Sequence, residues 1–271
     1  NQTAQAAANG GGQSRAKTVY IAPLKALARE RLQEWRKKLG EALGLVVLEL
    51  SGDVTPDVAA LKRADIIVAT PEKWDGITRS WKKRDYVGDV RLLIMDEIHL
   101  LGEDRGPVLV FIVSRMRYIA AQKGRPVRML GLSTALANPR DLADWLGVGP
   151  EGLFNFRPSV RPIPMDVHVA GFPGRHYCPR MATMNKPTYQ AIMEHSPQKP
   201  ALVVVSSRRQ TRWTALEWIS LCAQGEDPKC FLHMPEEEVA DMALTCRDAA
   251  LRHTLVFGVG IHHAGLDDHD R

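Results

Sequence analysis

Arg91–His99 (RLLIMDEIH) is a short apolar run that ends in two adjacent carboxylates, Asp96 and Glu97, followed by Ile98 and His99. Such a run is typical of a strand that is buried on both faces of a parallel sheet. In open parallel sheets, ligands bind at the carboxyl ends of the strands. This stretch therefore predicts an α/β fold with an acidic ligand site at one edge of the sheet.

Further apolar runs alternate with amphipathic stretches before and after it. They predict strands over Thr18–Ala22, Leu45–Leu50, Asp65–Ala69 and Val127–Leu132. Apolar residues at helical spacing predict a helix over Leu24–Leu39, and Asn138-Pro139 begins another helix that ends at Gly147. This alternation favours a parallel sheet covered by helices.

A proline-rich stretch at residues 157–164 separates a second set of elements. We expect strands over Met165–Ala170 and Ala201–Val205 and helices over Met181–His195, Thr211–Gln224 and Pro235–Ala250. The chain is thereby divided into three parts. Residues 1–17 form a low-complexity linker or insertion, residues 18–157 a first α/β domain and residues 158–271 the start of a second one.

Composition narrows the class of protein. The 271 residues are 45% hydrophobic and 25% charged, which excludes global disorder, collagen and coiled coil, and no apolar run is long enough to cross a bilayer. Residues 1–157 hold 24 Lys and Arg against 18 Asp and Glu, so we expect an anionic partner on the first half. Four cysteines without a C-x-x-C pair indicate neither a disulfide framework nor a zinc site, and favour a reducing compartment.

The two carboxylates suit a magnesium nucleotide. Mg²⁺ keeps most of its waters, so one carboxylate, Asp96, would contact the metal through water. A second carboxylate, Glu97, would orient or deprotonate the attacking water. His99 lies one turn further on, where it could contact a neighbouring domain. The alternative interpretation is a solvated acidic helix start, in which Glu97 only complements the helix dipole.

Other strand ends carry polar residues of the same kind. Ala22–Leu27 and Thr70–Asp75 each join a strand end to a helix start that bears a lysine, and a helix N-terminus suits a phosphate. Ser51-Gly52-Asp53 is a tight turn whose glycine permits close backbone approach. Ser133-Thr134 follows the last strand of the first half. Taken singly, each has an ordinary alternative as an N-cap or a turn.

Taken in order, these segments resemble the motifs of a superfamily-two helicase. Ala22–Leu27, Ser51–Asp53, Thr70–Asp75, Asp96–His99 and Ser133–Ala135 look like motif Ia, a GD turn and motifs Ib, II and III. Val203–Thr211 looks like motif IV, and Gly260–Leu266 (GIHHAGL) looks like the H-H-A-G segment of the Ski/Brr group. Longer stretches resemble the C-terminal cassette of a cointegrator-associated member of that group: Asp96–Val108, Gly131–Trp145, Gly152–Pro164 and Gly171–Lys186.

The resemblance implies two RecA-like parallel-sheet domains in tandem, both incomplete, that use ATP and Mg²⁺ to translocate 3′-to-5′ on single-stranded nucleic acid and unwind duplexes. Asp96 and Glu97 would then bind the nucleotide, Asp96 would hold Mg²⁺ through water, and His99, Ser133 and Thr134 would couple hydrolysis to movement. The implied nucleic-acid contacts are Pro23, Lys25, Arg29, Gly52, Thr70, Pro71, Lys73, Ser207, Arg208, Thr211, His262 and His263. Further implied partners are subunits of a cointegrator-type complex. Nuclear localisation, with a cytosolic pool as the alternative, is implied in the same way.

The motif inventory is incomplete. No G-x-x-x-x-G-K-[S/T] loop occurs in the 271 residues, and we expect the first domain to lack that Walker A segment and the second to stop before motifs V and VI. The parent protein is then expected to be an ATPase, while this piece alone is inactive. Two alternatives stay open: a catalytically silent scaffold cassette, and a plain nucleic-acid-binding module. The intact Asp96-Glu97 pair argues against the first.

Overall fold

The computed structural model describes residues 15–104, 106–225, 227–267 and 269–271. Most of the linker predicted over residues 1–17 lies outside them. The chain forms two compact units, one that ends at Pro164 and one that runs from Met165 to Arg271. Within the described residues, no helix combines the length and the apolar character needed to cross a membrane.

The first unit contains a five-stranded parallel sheet in the order β2-β3-β1-β4-β5. Its strands are β1 (Lys17–Ile21), β2 (Val47–Leu50), β3 (Ile66–Ala69), β4 (Val90–Met95) and β5 (Arg128–Gly131). Ile21 of β1 lies opposite Ala69 of β3 on one side and Met95 of β4 on the other. All five strands that the first half predicts are confirmed, with ends that differ by one or two residues.

Helices cover this sheet: α1 (Lys25–Trp35), α2 (Val58–Arg63), α3 (Pro71–Thr78), α4 (Gly106–Lys123) and α5 (Pro139–Leu146). The helix predicted over Leu24–Leu39 is α-helical only as far as Trp35, and a π-helical turn over Arg36–Glu41 follows. The predicted stop of α5 is confirmed, because Gly147 adopts a left-handed conformation with φ 73°.

Each face of the sheet has its own core. On one face Leu93 and Met95 pack against Ile112 and Met116 of α4 and Trp74 of α3. On the other face Tyr20, Ala28, Leu32 and Val68 pack beneath α1. The two helices α3 and α4 are also tied by an ion pair, since the Arg115 guanidinium lies 2.5 Å from a buried Asp75 carboxylate oxygen.

The sheet is less well covered near β5. Leu130 is 40% exposed and Leu132 42% exposed, although parallel sheets normally have helices on both faces. Leu130 lies opposite Ile94 of β4, two residues before Asp96. The described residues therefore leave an apolar surface open beside the acidic strand end.

The described residues of the second unit form four helices: α6 (Tyr177–His195), α7 (Arg208–Ala223), α8 (Glu236–Thr245) and α9 (Ala249–Leu255). The helices predicted over Met181–His195 and Thr211–Gln224 fall on α6 and α7. The single helix predicted over Pro235–Ala250 is wrong, because the chain breaks at residues 246–248. There the Asp248 carboxylate accepts hydrogen bonds from the backbone amides of Ala250 and Leu251 and so begins α9.

The two strands predicted for this unit are also wrong. Neither Met165–Ala170 nor Ala201–Val205 is a strand, and within the described part of the unit no backbone ladder pairs with either segment. Val169 is 91% exposed and Leu202 is 92% exposed. A strand forms only where a neighbour accepts and donates its backbone hydrogen bonds, so the apolar pattern alone is not sufficient.

A buried polar network joins α6 to α7. The Asn185 backbone carbonyl accepts from the Trp218 indole at 3.0 Å, and its side-chain oxygen accepts from the Thr214 hydroxyl at 3.1 Å. The Asn185 amide also donates to Glu217. These bonds satisfy the polar groups that this helix contact buries.

Candidate functional site

Each of the five strands ends in a segment that the sequence singled out, and because the strands are parallel, all five ends lie at one edge of the sheet. Across this edge, which we call the carboxyl edge, the order is Gly52, Thr70, Pro23, Asp96 and Ser133. The residues that resemble nucleic-acid contacts follow β2, β3 and β1. The residues that resemble the nucleotide site follow β4 and β5.

The Asp96 carboxylate is held from two sides. One oxygen accepts a hydrogen bond from the Glu97 amide at 3.0 Å, and the other accepts one from the Tyr20 hydroxyl. Tyr20 lies on β1 opposite Ile94, so the alternation of the strands places its side chain on the same face as that of Asp96. Burial, together with the hydrogen bond to Asp96, raises the pKa of Tyr20 to about 12, so the phenol stays a hydrogen-bond donor.

Glu97 has a left-handed backbone conformation with φ 51° and ψ 43°. It is the only non-glycine residue with a positive φ among the described residues, and such a conformation marks a sharp local turn. The turn begins the 3₁₀ segment Ile98–Gly102 and leaves the Glu97 side chain partly exposed at the edge. One of its carboxylate oxygens lies 3.3 Å from Nδ1 of His99.

Ser133 and Thr134 are placed next to this turn by backbone hydrogen bonds. The Leu132 amide donates to the Met95 carbonyl at 2.9 Å, and the Ile98 amide donates to the Leu132 carbonyl at 2.9 Å. The chain therefore leaves β5 directly beside the acidic turn. Both side chains are exposed, and the Ser133 hydroxyl donates to the Thr134 carbonyl at 2.7 Å.

Two of the predicted nucleic-acid contacts converge on one carboxylate, and a third, Gly52, lies beneath one of them. Lys25 and Arg29, on the first turns of α1, lie 2.8 Å and 3.1 Å from the two oxygens of Asp53. A Cβ on Gly52 would lie 3.0 Å from Lys25 Nζ, so the glycine leaves room for the lysine to cross the turn. The hydrogen bond from Lys25 lowers the pKa of Asp53.

Thr70, Pro71 and Lys73 form the start of α3. Thr70 is buried and its amide donates to the Leu50 carbonyl at 3.1 Å, so its position is fixed by β2. Pro71 occupies the first helical turn, where its missing N–H leaves no hydrogen bond unmade. Lys73 Nζ donates to the Thr55 hydroxyl at 3.1 Å, which brings the loop after β2 beside this helix start.

In the second unit, the predicted nucleic-acid contacts lie around the start of α7. The Ser207 hydroxyl caps this helix by accepting from the Gln210 amide at 3.2 Å, and the Thr211 hydroxyl donates to the Arg208 carbonyl at 2.6 Å. A Cβ on Gly265 would lie 3.0 Å from the Arg208 guanidinium and 3.2 Å from the His263 ring. Arg208 and His263 therefore meet at this turn, and the neighbouring His262 is exposed.

Two further side chains contact the predicted residues at the carboxyl edge, and no motif in the sequence indicates them. Tyr20 contacts Asp96, and Thr55 contacts Lys73. Two-residue alternation on β1 could have indicated Tyr20, once β1 and β4 were taken as neighbours. Thr55 lies in an irregular loop, and no spacing in the sequence points to it.

The acidic strand end suits a hydrated divalent cation. Asp96 is partly exposed, and each of its oxygens uses only one of its lone pairs in the two hydrogen bonds described, so the outward lone pairs can contact waters of a Mg²⁺ shell. Among the described residues, Asp267, His269 and Asp270 also lie close enough to one another to share an ion. Asp270 however accepts from the Arg247 and Asp248 amides, and Asp267 pairs with Arg247, which explains that cluster structurally.

Residues 3–142 match the family description "DEAD/DEAH box helicase", and the chain belongs to this family. It is 62% identical over 94% of its length to activating signal cointegrator 1 complex subunit 3 of Homo sapiens and of Danio rerio. It is 61% identical over the same share to the DExH-box ATP-dependent RNA helicase DExH14 of Arabidopsis thaliana. The chain spans only 12% to 17% of the length of these relatives.

Solved structures show the same fold. The helicase MrfA superposes with a TM-score of 0.53 at 17% identity, over 92% of this chain and 40% of that chain. Its complex with DNA and AMPPNP gives a TM-score of 0.51 at 18% identity, over 89% of this chain and 34% of that chain. At this level of identity the likeness bears on the fold alone.

Proposed function

We propose that this chain is part of an ATP-dependent helicase that moves 3′-to-5′ along a nucleic-acid strand and unwinds duplexes. One observation carries the proposal: the motif residues at all five strand ends lie along one edge of the sheet. There the acidic pair, Asp96 and Glu97, lies beside helix N-termini that suit a phosphate. Membership of the DEAD/DEAH box helicase family supports it. The names of the relatives suggest subunits of a cointegrator complex as partners.

In this proposal the carboxyl edge holds both ligands. Asp96, fixed by Tyr20 and by the Glu97 amide, holds the hydrated Mg²⁺, and Glu97 orients the attacking water and accepts its proton. When bound, the metal offsets the negative charge of the phosphates. Ser133 and Thr134, held next to the acidic turn, couple ATP hydrolysis to movement at the nucleic-acid contacts.

The helix N-termini at the carboxyl edge provide the proposed contacts to the nucleic-acid strand. The amides that begin α1 and α3, with Lys25, Arg29 and Lys73, face phosphates of the backbone rather than bases. Binding of this kind is independent of sequence and sensitive to salt. Ser207, Arg208, Thr211, His262 and His263 supply the equivalent contacts of the second unit.

The open surface at Leu130 and Leu132 has a role in the same proposal. Apolar residues beside a nucleotide site require cover, and we propose that the segment of the longer protein with the phosphate-binding loop provides it. The chain alone is then expected to hydrolyse ATP negligibly. The longer protein is expected to be active.

The test is ATP hydrolysis by the full-length protein, with and without single-stranded nucleic acid. We expect stimulated turnover in the wild type and a fall of about 10²-fold or more in kcat for Glu97→Gln. Glu103→Gln, an exposed glutamate a few residues away, is the matched control and should keep wild-type turnover. Duplexes with a 3′ or a 5′ single-stranded tail test the direction, since only the 3′-tailed duplex should be unwound.

The scaffold alternative makes the opposite prediction. A folded full-length protein that binds nucleic acid but hydrolyses no ATP would contradict the helicase proposal. Equal turnover of Glu97→Gln and the wild type would contradict the role of Glu97.

A further inference from the structure

The opposite edge of the same sheet, where the strands begin, carries a second feature, which we call the amino-edge pocket. It is a cavity of about 480 Å³ formed where β1 and β4 begin and where α2 and α4 end. Five of the nine residues that line it are Lys or Arg, and two are Asp. The proposed helicase site, at the carboxyl edge, does not use any of them.

Some of these charges are already satisfied within the protein. Lys17 is buried, and its ammonium donates to the backbone carbonyls of Lys62 and Ala64 at 2.7 Å and 2.5 Å. Arg15 pairs with Asp65 at 2.5 Å, while Arg125 lies 3.6 Å from Asp89. Carboxylates therefore offset the charges of Arg15 and Arg125, while neutral carbonyls hold the Lys17 ammonium in the wall of the pocket.

Two cations at the pocket are not satisfied in this way. Lys62 and Lys123 are exposed, and within the described part of the chain neither ammonium has an ion pair or a hydrogen bond. A Cβ on Gly88 would lie 3.1 Å from Lys123 Cε, so this glycine lets the lysine stem lie flat against the pocket. The pocket is thus lined by two lysines whose ammonium groups have no partner among the described residues.

A buried phenol adds a further polar group. The Tyr86 hydroxyl, in a residue that lines the pocket, is buried and makes no hydrogen bond of normal geometry within the described residues. Burial raises the pKa of Tyr86, and the neighbouring Arg84 offsets part of that rise. The hydroxyl therefore remains protonated and able to donate.

An ordinary structural explanation exists for each lysine separately. Lys62 and Lys123 lie in the last turns of α2 and α4, where a cation stabilises the helix through the helix dipole. Stabilisation through the helix dipole does not depend on whether either lysine lines a cavity or on which residue occupies position 88. The convergence of both free ammonium groups on one pocket of ligand size is what the dipole effect leaves unexplained.

From this geometry we propose that the amino-edge pocket binds the phosphate backbone of a nucleic-acid strand, as a second contact beyond the carboxyl edge. The ligand is anionic because Lys62 and Lys123, which line the pocket, have ammonium groups that no carboxylate pairs with among the described residues. A nucleic-acid strand is favoured over an acidic polypeptide because the carboxyl edge of the same sheet is already proposed to bind one.

The distance between the two edges is compatible with one continuous ligand. The β-strands of four to six residues that separate the two edges are about 13–20 Å long. A single-stranded nucleic acid that leaves the carboxyl edge can therefore reach the pocket within a few nucleotides. This inference rests on the proposed function, because it takes the carboxyl edge as the primary contact. The experiment therefore contains one variant for each edge.

The test uses the 271-residue chain and a fluorescein-labelled 20-nucleotide oligothymidylate, with binding measured by fluorescence anisotropy over a range of salt concentrations. For Lys62→Glu/Lys123→Glu we expect an increase in Kd of about tenfold and a salt slope smaller by about 1.4, since each lost phosphate contact removes about 0.7. Lys37→Glu/Lys186→Glu is the control of equal charge change. Both of these lysines are exposed and unpaired within the described residues, and Kd should change less than about twofold.

A second variant covers the case in which charge reversal unfolds the protein. Gly88→Ala adds one methyl group beneath Lys123 and should displace the lysine, with an increase in Kd of about two- to threefold. Circular dichroism of each variant verifies the fold. Wild-type affinity and salt slope in both pocket variants would overturn the inference.

The carboxyl-edge variant Lys73→Glu separates the two proposals. If only Lys73→Glu weakens binding, the proposed function stands and the amino-edge inference fails. If the wild-type chain does not bind the oligonucleotide at all, both fail. Two competitors identify the ligand: displacement by poly-L-glutamate as effective as that by unlabelled oligonucleotide, or displacement by micromolar thymidine monophosphate, would overturn the assignment to a strand.

Discussion

The Tyr20 hydroxyl donates a hydrogen bond to the Asp96 carboxylate, and this bond joins the β1 strand to the acidic end of β4. The ring of Tyr20 packs edge-on against Trp35 at a centroid distance of 5.1 Å, and the Arg31 guanidinium lies 5.9 Å from its centroid. Both neighbours belong to α1, the helix whose first turns carry Lys25 and Arg29. One side chain thus touches both the proposed strand-binding helix and the proposed metal ligand.

Tyr20→Phe is predicted to loosen Asp96 without changing the packing of the ring. A hydrogen bond to a charged group contributes about 1.5–3 kcal/mol, so we expect a loss of that order in the free energy of unfolding of the chain. In the full-length protein we expect a lower kcat with little change in strand affinity. Urea denaturation and ATPase assays measure the two effects, and Tyr177→Phe, at an exposed phenol, is the control. A variant as stable and as active as the wild type would show that the contact is incidental.

Asp75→Asn is predicted to be strongly destabilising. Asp75 is buried between Arg115 at 2.5 Å and Arg79 at 2.6 Å, and loss of one partner of a buried ion pair costs about 3–5 kcal/mol. Denaturation at pH 7 measures the cost. Arg79→Ala should cost clearly less, because this guanidinium is largely exposed. An equal cost for the two variants would contradict the assignment of Arg115 as the main partner.

The same ion pair predicts a pH dependence. Burial alone would raise the pKa of Asp75, but the hydrogen bonds from Arg115 and Arg79 outweigh it and hold that pKa below its usual value. The contribution to stability is therefore complete above the unfolded pKa of about 3.9 and disappears as the pH falls through the lower folded value. The stability difference between the wild type and Asp75→Asn should shrink below about pH 4. A difference that grows with acidification would have the wrong sign.

Asp53→Asn is predicted to tighten nucleic-acid binding. Asp53 neutralises Lys25 and Arg29, the two cations closest to the start of α1. Its removal frees both for phosphate, so the salt slope for a single-stranded oligonucleotide should grow by up to about 1.4. Asp144→Asn, at another exposed aspartate, controls for the change in net charge. Weaker binding by Asp53→Asn would show that the carboxylate positions the cations rather than masking them.

The thiols of the second unit should differ widely in reactivity. Cys222 is buried with its Sγ 2.9 Å from that of Cys230, and burial with this contact raises the pKa of Cys222 to about 12. Because the thiolate is the reactive form, iodoacetamide at pH 8 should label the exposed Cys178 and leave Cys222 unlabelled until the chain is unfolded. Peptide mass spectrometry with and without urea measures this. Cys222→Ser identifies the peptide, and rapid native labelling of Cys222 would contradict its burial.

Local sequence was sufficient for the first sheet because its strands are continuous apolar runs that end in turn residues. The run Arg91–Met95 needs no distant information to be recognised. The contact between Asp75 and Arg115 joins residues forty positions apart, and no periodicity encodes it. The contact of Tyr20 with Asp96 is likewise decided by which strands are neighbours.

In the second unit, local sequence is not sufficient to predict the secondary structure. Ala201–Val205 has the composition of a buried strand, yet it forms none because nothing among the described residues pairs with it, and Leu202 and Val204 are largely exposed. The break between α8 and α9 depends on the Asp248 cap, which competes locally with a continuous helix. The candidate residues at Ser207 and His263 were nevertheless named from motif order, which reflects resemblance rather than periodicity.

The order of the strand ends has a mechanical consequence. Adjacent strands are about 4.8 Å apart and twist by about 20–25°, so the five ends form a curved ramp about 19 Å long that turns through roughly a right angle. The boundary between the proposed nucleic-acid part of the ramp and its proposed nucleotide part is the ladder between β1 and β4. This ladder is paired from Lys17 to Ile21 and continues to the Asp96 amide, which donates to the Ile21 carbonyl at 3.1 Å. Pro23 and Asp96 are therefore held at a fixed separation, and the sheet carries both parts of the ramp as one rigid platform.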